Sequence, residues 1–219
     1  MLALLKHPNI IRILDLREHE SRLCLVLEYA ENGTLSDALH PPNDIQRVEY
    51  SFGRKLSWLQ QTAAALAYLH SIVPFPVIHR DVKPKNILLC DNYKIAKLTN
   101  FGLATIQQPE MTNQTGTLLW MAPEVFSGMT YSTSCDVYSF GIVMWEVLSG
   151  RVPYNTESGV TDPTPNEIVW YFKNVVEKGL RPEKLPLPVS DELNALMNEA
   201  WMQIQGNVRQ QVHCAFASG

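Results

Sequence analysis

The sequence predicts an α+β fold that is mainly helical, with a small two-stranded piece near its N-terminal end. Three observations carry this. Residues 10–17 and 22–29 are short runs rich in Ile, Leu and Val, separated by a polar break, which is the pattern of two short strands. From Lys55 to Ser71, the residues Leu56, Leu59, Ala63, Leu66 and His70 recur at spacings of three and four, one face of a helix. Asp136 opens a stretch apolar almost all round (Val137, Phe140, Ile142, Val143, Met144, Trp145, Val147, Leu148), and such a helix lies inside a domain.

The remaining elements follow in order. Met1 to Leu5 is a five-residue apolar stretch before Lys6, too short for a signal peptide, and reads as the end of a helix cut by the start of the chain. Asn32-Gly33 ends the second strand, and Thr34 is placed to N-cap a short helix from Leu35 to about His40. Residues 41–54 mix prolines, charges and Gly53 and read as a loop. Pro74 and Pro76 keep the segment after Ser71 out of a helix. Ile87–Leu89 and Ile95–Leu98 are short strand candidates around the turn Cys90-Asp91-Asn92. Residues 103–120 are polar with little periodicity and read as a long loop, and loops of that length are usually functional or disordered. Gly150 stops the apolar helix, and two more helices are expected at Asn166–Lys178 and Ser190–Trp201.

Composition bounds the function. The chain has 219 residues, 46% of them apolar and 18% charged, enough for one domain with a core. The net charge is −4, and no basic surplus points to nucleic acid or an anionic membrane. The longest apolar run, near Phe140–Leu148, is interrupted by Glu146 and is too short to span a membrane. Cys24, Cys90, Cys135 and Cys214 are scattered without metal spacing, which reads as reduced thiols in a cytoplasmic protein.

The strongest local signal is His79-Arg80-Asp81-Val82-Lys83-Pro84-Lys85-Asn86, followed by Ile87-Leu88-Leu89. Alone, its first three residues could be a surface charge cluster. The full run resembles the catalytic loop of protein kinases. Phosphoryl transfer asks for a group to take the hydroxyl proton, cations on the phosphates and in-line placement. By the resemblance Asp81 is the base, Asn86 offers a neutral oxygen to a magnesium ion, and Lys83 is the phosphate-contacting lysine of serine/threonine kinases. Three further matches keep the family's order. Residues 100–102 stand in the place of the Asp-Phe-Gly motif. Gly116-Thr117 and Met121-Ala122-Pro123-Glu124 resemble the end of the activation segment, with Thr117 bridging Asp81 and Lys83. Asp136-Val137-Tyr138-Ser139-Phe140-Gly141 resembles the start of the central C-lobe helix, whose aspartate anchors the catalytic loop.

The finer resemblance is to the tyrosine-kinase-like group, and within it to MAP kinase kinase kinases of the TGF-β-activated type. It rests on His7-Pro8-Asn9-Ile10, the run Leu25 to Leu35, Tyr68-Leu69-His70-Ser71, Met111-Thr112-Asn113 and Trp120 to Phe126. It implies a protein kinase-like fold: an N-lobe remnant and hinge over residues 1–30, a mainly α-helical C-lobe over 31–201, and a divergent tail over 202–219. It also implies ATP and Mg2+, a protein substrate or pathway partner (MAP kinase kinase-like or adaptor proteins), and transfer to a serine or threonine hydroxyl. Leu27 is then the gatekeeper, Glu28 and Ala30 offer hinge backbone groups to adenine, and Leu88 lies beneath it. Leu27 and Leu88 are equally explained as core residues. Thr112 aligns with an activation-loop phosphosite, where a phosphate would pair with Arg80; Thr105, Thr115 and Thr117 are nearby alternatives.

The sequence departs from the family in three places. Asn100 replaces the metal-holding aspartate, keeping an oxygen and losing the charge, which predicts a loss of orders of magnitude in rate. No glycine-rich loop and no strand lysine occur within these residues, and only Met1 to Leu5, with Leu2 placed by the hydrophobic spine of His79 and Phe101, answers to the regulatory helix. The two strands are therefore expected to expose apolar surface and a bare edge. After Trp201 no Arg-Pro pair supplies the arginine that the family sets against Glu124, and Arg209 is displaced from that place by a residue. Two functions remain in play: a kinase weakened in catalysis, and a pseudokinase that binds partners.

Overall fold

The computed structural model describes residues 5–20, 22–41, 48–106, 117–155, 164–186 and 188–202. Leu2, Thr112, Thr115, Arg209 and the tail beyond Met202 lie outside them.

Strands β1 (Ile13–His19) and β2 (Arg22–Leu27) pair antiparallel. The first begins three residues later than the apolar run suggests. Ile10 is drawn away from it into a parallel bridge with Leu98, where the Ile11 N–H donates to the Leu98 carbonyl at 2.9 Å. As the sequence predicts, both faces of this pair are open: Leu14, Leu16 and Leu25 are exposed and Leu23 is 75% exposed.

Helix α1 (Leu35–Leu39) starts where Thr34 predicts. Thr34 accepts from the Asp37 N–H, and the Asp37 carboxylate accepts in return from the Thr34 N–H, so two orphan donors are satisfied at once. Gly33, at φ +70, turns the chain so that its carbonyl accepts from the Leu89 N–H at 2.9 Å. Helix α2 (Phe52–His70) begins three residues before the predicted start, because Ser51 caps it by accepting from the Arg54 N–H. A side chain at Gly53 would meet nothing, so this position is an open helix surface rather than a turn.

Strand β3 (Val77–Ile78) pairs antiparallel with β6 (Thr105–Ile106), while β4 (Ile87–Cys90) and β5 (Ile95–Leu98) form the predicted hairpin. Asp91, Asn92 and Tyr93 all take positive φ in its turn. In the register of that hairpin Leu88 stands opposite Lys97. Helix α3 (Pro123–Phe126) takes in the last two residues of the run Met121-Ala122-Pro123-Glu124. Glu124 on it is buried, and it is not left without an interaction partner.

Helix α4 (Ser134–Ser149) is the centre of the core. All its residues but the last are buried, and Gly150 ends it in the left-handed region at φ 68. Helices α2 and α6 (Asp191–Ala200, capped by Ser190) pack against it. The contact with α6 needs Gly141: a methyl there would lie 2.7 Å from the Ala200 Cβ. The single helix expected over Asn166–Lys178 is instead α5 (Pro165–Tyr171) followed by a wider π-wound stretch, Phe172–Glu177. Apolar spacing does not separate these windings; Tyr171 and Val175 are buried across the change. No described helix is long and apolar enough to cross a membrane.

Candidate functional site

The site is built on the segment between β3 and β4. This turn is held in an unusual conformation, with Arg80 at φ +68, where a side chain with a Cβ is strained. The N-terminal turn of α4 holds it there. Asp136, fully buried, accepts the His79 N–H on Oδ2 and the Arg80 N–H on Oδ1, each at 2.8 Å. His70, at the end of α2, donates to the same Oδ2 at 2.8 Å. Burial alone would raise the Asp136 carboxyl, but the hydrogen bond and charge of His70 hold it below the usual carboxylate range.

His79 is the buried pivot of the loop. Its Nε2 donates to the Thr99 carbonyl at 2.8 Å, and its Nδ1 accepts from the Asp81 N–H at 3.3 Å. Those two partners require the neutral imidazole, and burial lowers its pKa accordingly. The ring also meets Phe101 edge-on at 5.1 Å.

This framework presents Asp81, which is 6% exposed. Thr117 donates to its Oδ1 at 2.8 Å, and Lys83 Nζ lies 2.8 Å from its Oδ2. Lys83 also donates to Thr117 Oγ1, closing a three-membered ring of contacts between the β3–β4 segment and Thr117. Asn86 Nδ2 donates to both the carbonyl and Oδ2 of Asp81, each at 2.7 Å. Asn100, in the left-handed region at φ 61, donates from Nδ2 to Asn86 Oδ1 at 3.0 Å. Asp81, Lys83, Asn86, Thr117 and Asn100 are therefore one connected cluster, although they come from positions up to 36 residues apart.

Arg80 turns the other way. Its Nε donates to the Leu103 carbonyl and its guanidinium reaches the Tyr131 hydroxyl at 3.2 Å. Leu27 ends β2, Glu28 and Ala30 follow it in the chain, and Leu88 lies on β4. Leu27 is exposed and the other three are half-buried.

The sequence did not single out Lys97. It stands opposite Leu88 and donates to Glu28 Oε1 at 2.7 Å, where the Arg12 N–H also donates at 2.8 Å. Burial raises the Glu28 carboxyl, and the Lys97 and Arg12 contacts more than reverse it, leaving its pKa lowered. The only available sign of Lys97 was a charged residue in an otherwise apolar strand. In the sequence His70 is one more position on the α2 face, and its bond to Asp136 has no local signature.

A magnesium ion prefers carboxylate oxygens in an octahedral set. Both oxygens of Asp81 already accept from Thr117, Lys83 and Asn86, the Asn86 oxygen accepts from Asn100, and Asn100 brings no charge. This donor set does not fit the ion.

A family model described as a protein kinase domain matches residues 1–205. Mitogen-activated protein kinase kinase kinase 7 of Homo sapiens is 38% identical over 203 residues, covering 91% of this chain and 31% of the relative. The Drosophila melanogaster protein of the same name is 42% identical over 153 residues, 70% of this chain and 22% of the relative. Mitogen-activated protein kinase kinase kinase 11 of Homo sapiens is 41% identical over 166 residues, 70% and 18% respectively. The chain thus spans about a third or less of the length of these relatives.

Proposed function

From the premise that this chain belongs to the protein kinase domain family, we propose that it is a MAP kinase kinase kinase-like protein whose transfer of phosphate to protein serine or threonine is weak or absent. In this reading Asp81 is the group placed to take the substrate hydroxyl proton. Lys83 is the phosphate contact, held in readiness by Thr117, and the Asp136 anchor fixes the loop that carries both. Leu27 and Leu88 bracket the place for adenine, with hinge groups from Glu28 and Ala30. A phosphate on Thr112 would pair with Arg80. ATP and magnesium are the family's requirements.

The observation that carries the reading is the Asn100–Asn86 contact at 3.0 Å: an amide stands where the reaction needs a metal-holding carboxylate. The missing clamp is worth several kcal/mol in the transition state, or orders of magnitude in rate. The test is a phosphotransfer assay on the 219-residue chain, with Asp81→Ala as control. Both are expected at background, and transfer that Asp81→Ala abolishes would refute the impairment.

The exposed leucines of β1 and β2 favour a second reading, a partner-binding pseudokinase in a MAP kinase pathway. Its test is binding of purified MAP kinase kinase-like or adaptor proteins at micromolar concentration, lost when Leu23 and Leu25 become serine.

A further inference from the structure

The orientation of two side-chain amides in the cleft is fixed by what surrounds them. Asn86 is 4% exposed and presents its Nδ2 to two oxygens of Asp81, a carbonyl and a carboxylate, neither of which can donate. Its Oδ1 must therefore face the other way, toward Asn100. Among the described residues, only the Nδ2 of Asn100 makes a hydrogen bond to that oxygen, and it does so at 3.0 Å. An aspartate at position 100 would set a second acceptor against Asn86 Oδ1. Two acceptors that face each other need a cation or a bridging donor such as water between them; an amide facing an acceptor needs neither. The formal charge in the cluster is also already balanced, with Lys83 Nζ 2.8 Å from Asp81 Oδ2. No surplus negative charge remains to draw in a divalent ion.

We propose that the Asn100 side-chain amide is a built-in substitute for the divalent cation, so that this cleft keeps its geometry with no metal and takes none up. The N–H of Asn100 supplies to Asn86 the positive partner that a metal would supply, and supplies it permanently. This deepens the reading given above and rests on it for the meaning of position 100.

The test uses Mn2+ alone as a paramagnetic probe on the isotopically labelled 219-residue chain. The side-chain amide resonances of Asn86 and Asn100 are expected to stay sharp while Mn2+ is titrated. In Asn100→Asp the Asn86 resonance is expected to broaden saturably, at Mn2+ concentrations lower by about tenfold or more, since a full charge then faces the ion. Saturable broadening of Asn86 and Asn100 in the unaltered protein overturns the proposal. So does an unchanged Mn2+ response in folded Asn100→Asp. Should that variant fail to fold, the titration of the unaltered protein decides alone. The two readings fail separately. Phosphotransfer above background with a sharp Asn86 resonance removes the impaired-kinase reading. A broadened Asn86 resonance with background transfer removes only the metal substitute.

Discussion

Replacing Asp136 with asparagine should damage this protein more than any other single-atom exchange near the cleft. The carboxylate accepts three donors: the His79 and Arg80 backbone N–H groups and His70 Nε2, all at 2.8 Å. Oδ2 takes two of them and Oδ1 takes the third. An asparagine keeps one oxygen, so in either orientation its NH2 group faces at least one buried N–H. Hydrogen bonds to a charged group contribute about 1.5–3 kcal/mol each, and breaking a buried charged pair costs about 3–5 kcal/mol. The Arg80 backbone also loses part of what holds it at φ +68, a conformation with its own cost of about 1–3 kcal/mol. A total loss of about 3–5 kcal/mol corresponds to a fall of about 6–20 °C in Tm for a domain of this size. The assay is thermal unfolding followed by circular dichroism at neutral pH. A fall of less than about 3 °C in a cooperative transition would refute the anchoring argument.

Acid should destabilise the protein in two stages. His79 is held neutral below its ordinary 6.5, so the stability it contributes is present above that value and is lost as pH falls through it, by up to about 1.4 kcal/mol per pH unit. His7 is depressed for the same reason, so His79→Phe should flatten only part of the Tm profile between about pH 5 and 7. Asp136 is depressed below 3.8, and its contribution should disappear only below that value. Gly141→Ala should destabilise by about 1–3 kcal/mol in chemical denaturation, because the new methyl collides with Ala200 across two core helices. Lys97→Met should raise the Glu28 carboxyl pKa, visible in a carbon-detected titration, and lower stability by about 1 kcal/mol.

The parts of the fold written in local order were legible in the sequence. Thr34 caps the helix it is expected to cap, the helix expected from Ser190 begins one residue later with Ser190 as its cap, and the hairpin over Ile87–Leu98 follows from two apolar runs about a turn. The closely spaced residues Arg80, Asp81, Lys83 and Asn86 could be singled out because they share one short segment. What stayed hidden depends on contacts between distant segments. Ile10 leaves its apolar run for Leu98, and His70 reaches Asp136 across 66 positions. Lys97 finds Glu28 across 69. The start of α2 is hidden for a different reason: Gly53 suggests a loop, while the Ser51 cap outweighs it. The loss of charge at Asn100 was plain from its identity, but its hydrogen bond to Asn86 was not, because that requires knowing which way Asp81 turns the Asn86 amide.

The most direct test is how this cleft responds to magnesium in the presence of nucleotide. Thermal unfolding with ATP should show the same Tm whether magnesium is present or chelated, since Asn100 already fills the metal's role toward Asn86. A rise in Tm that appears only when magnesium accompanies ATP, and that Asn86→Ala removes, would contradict it.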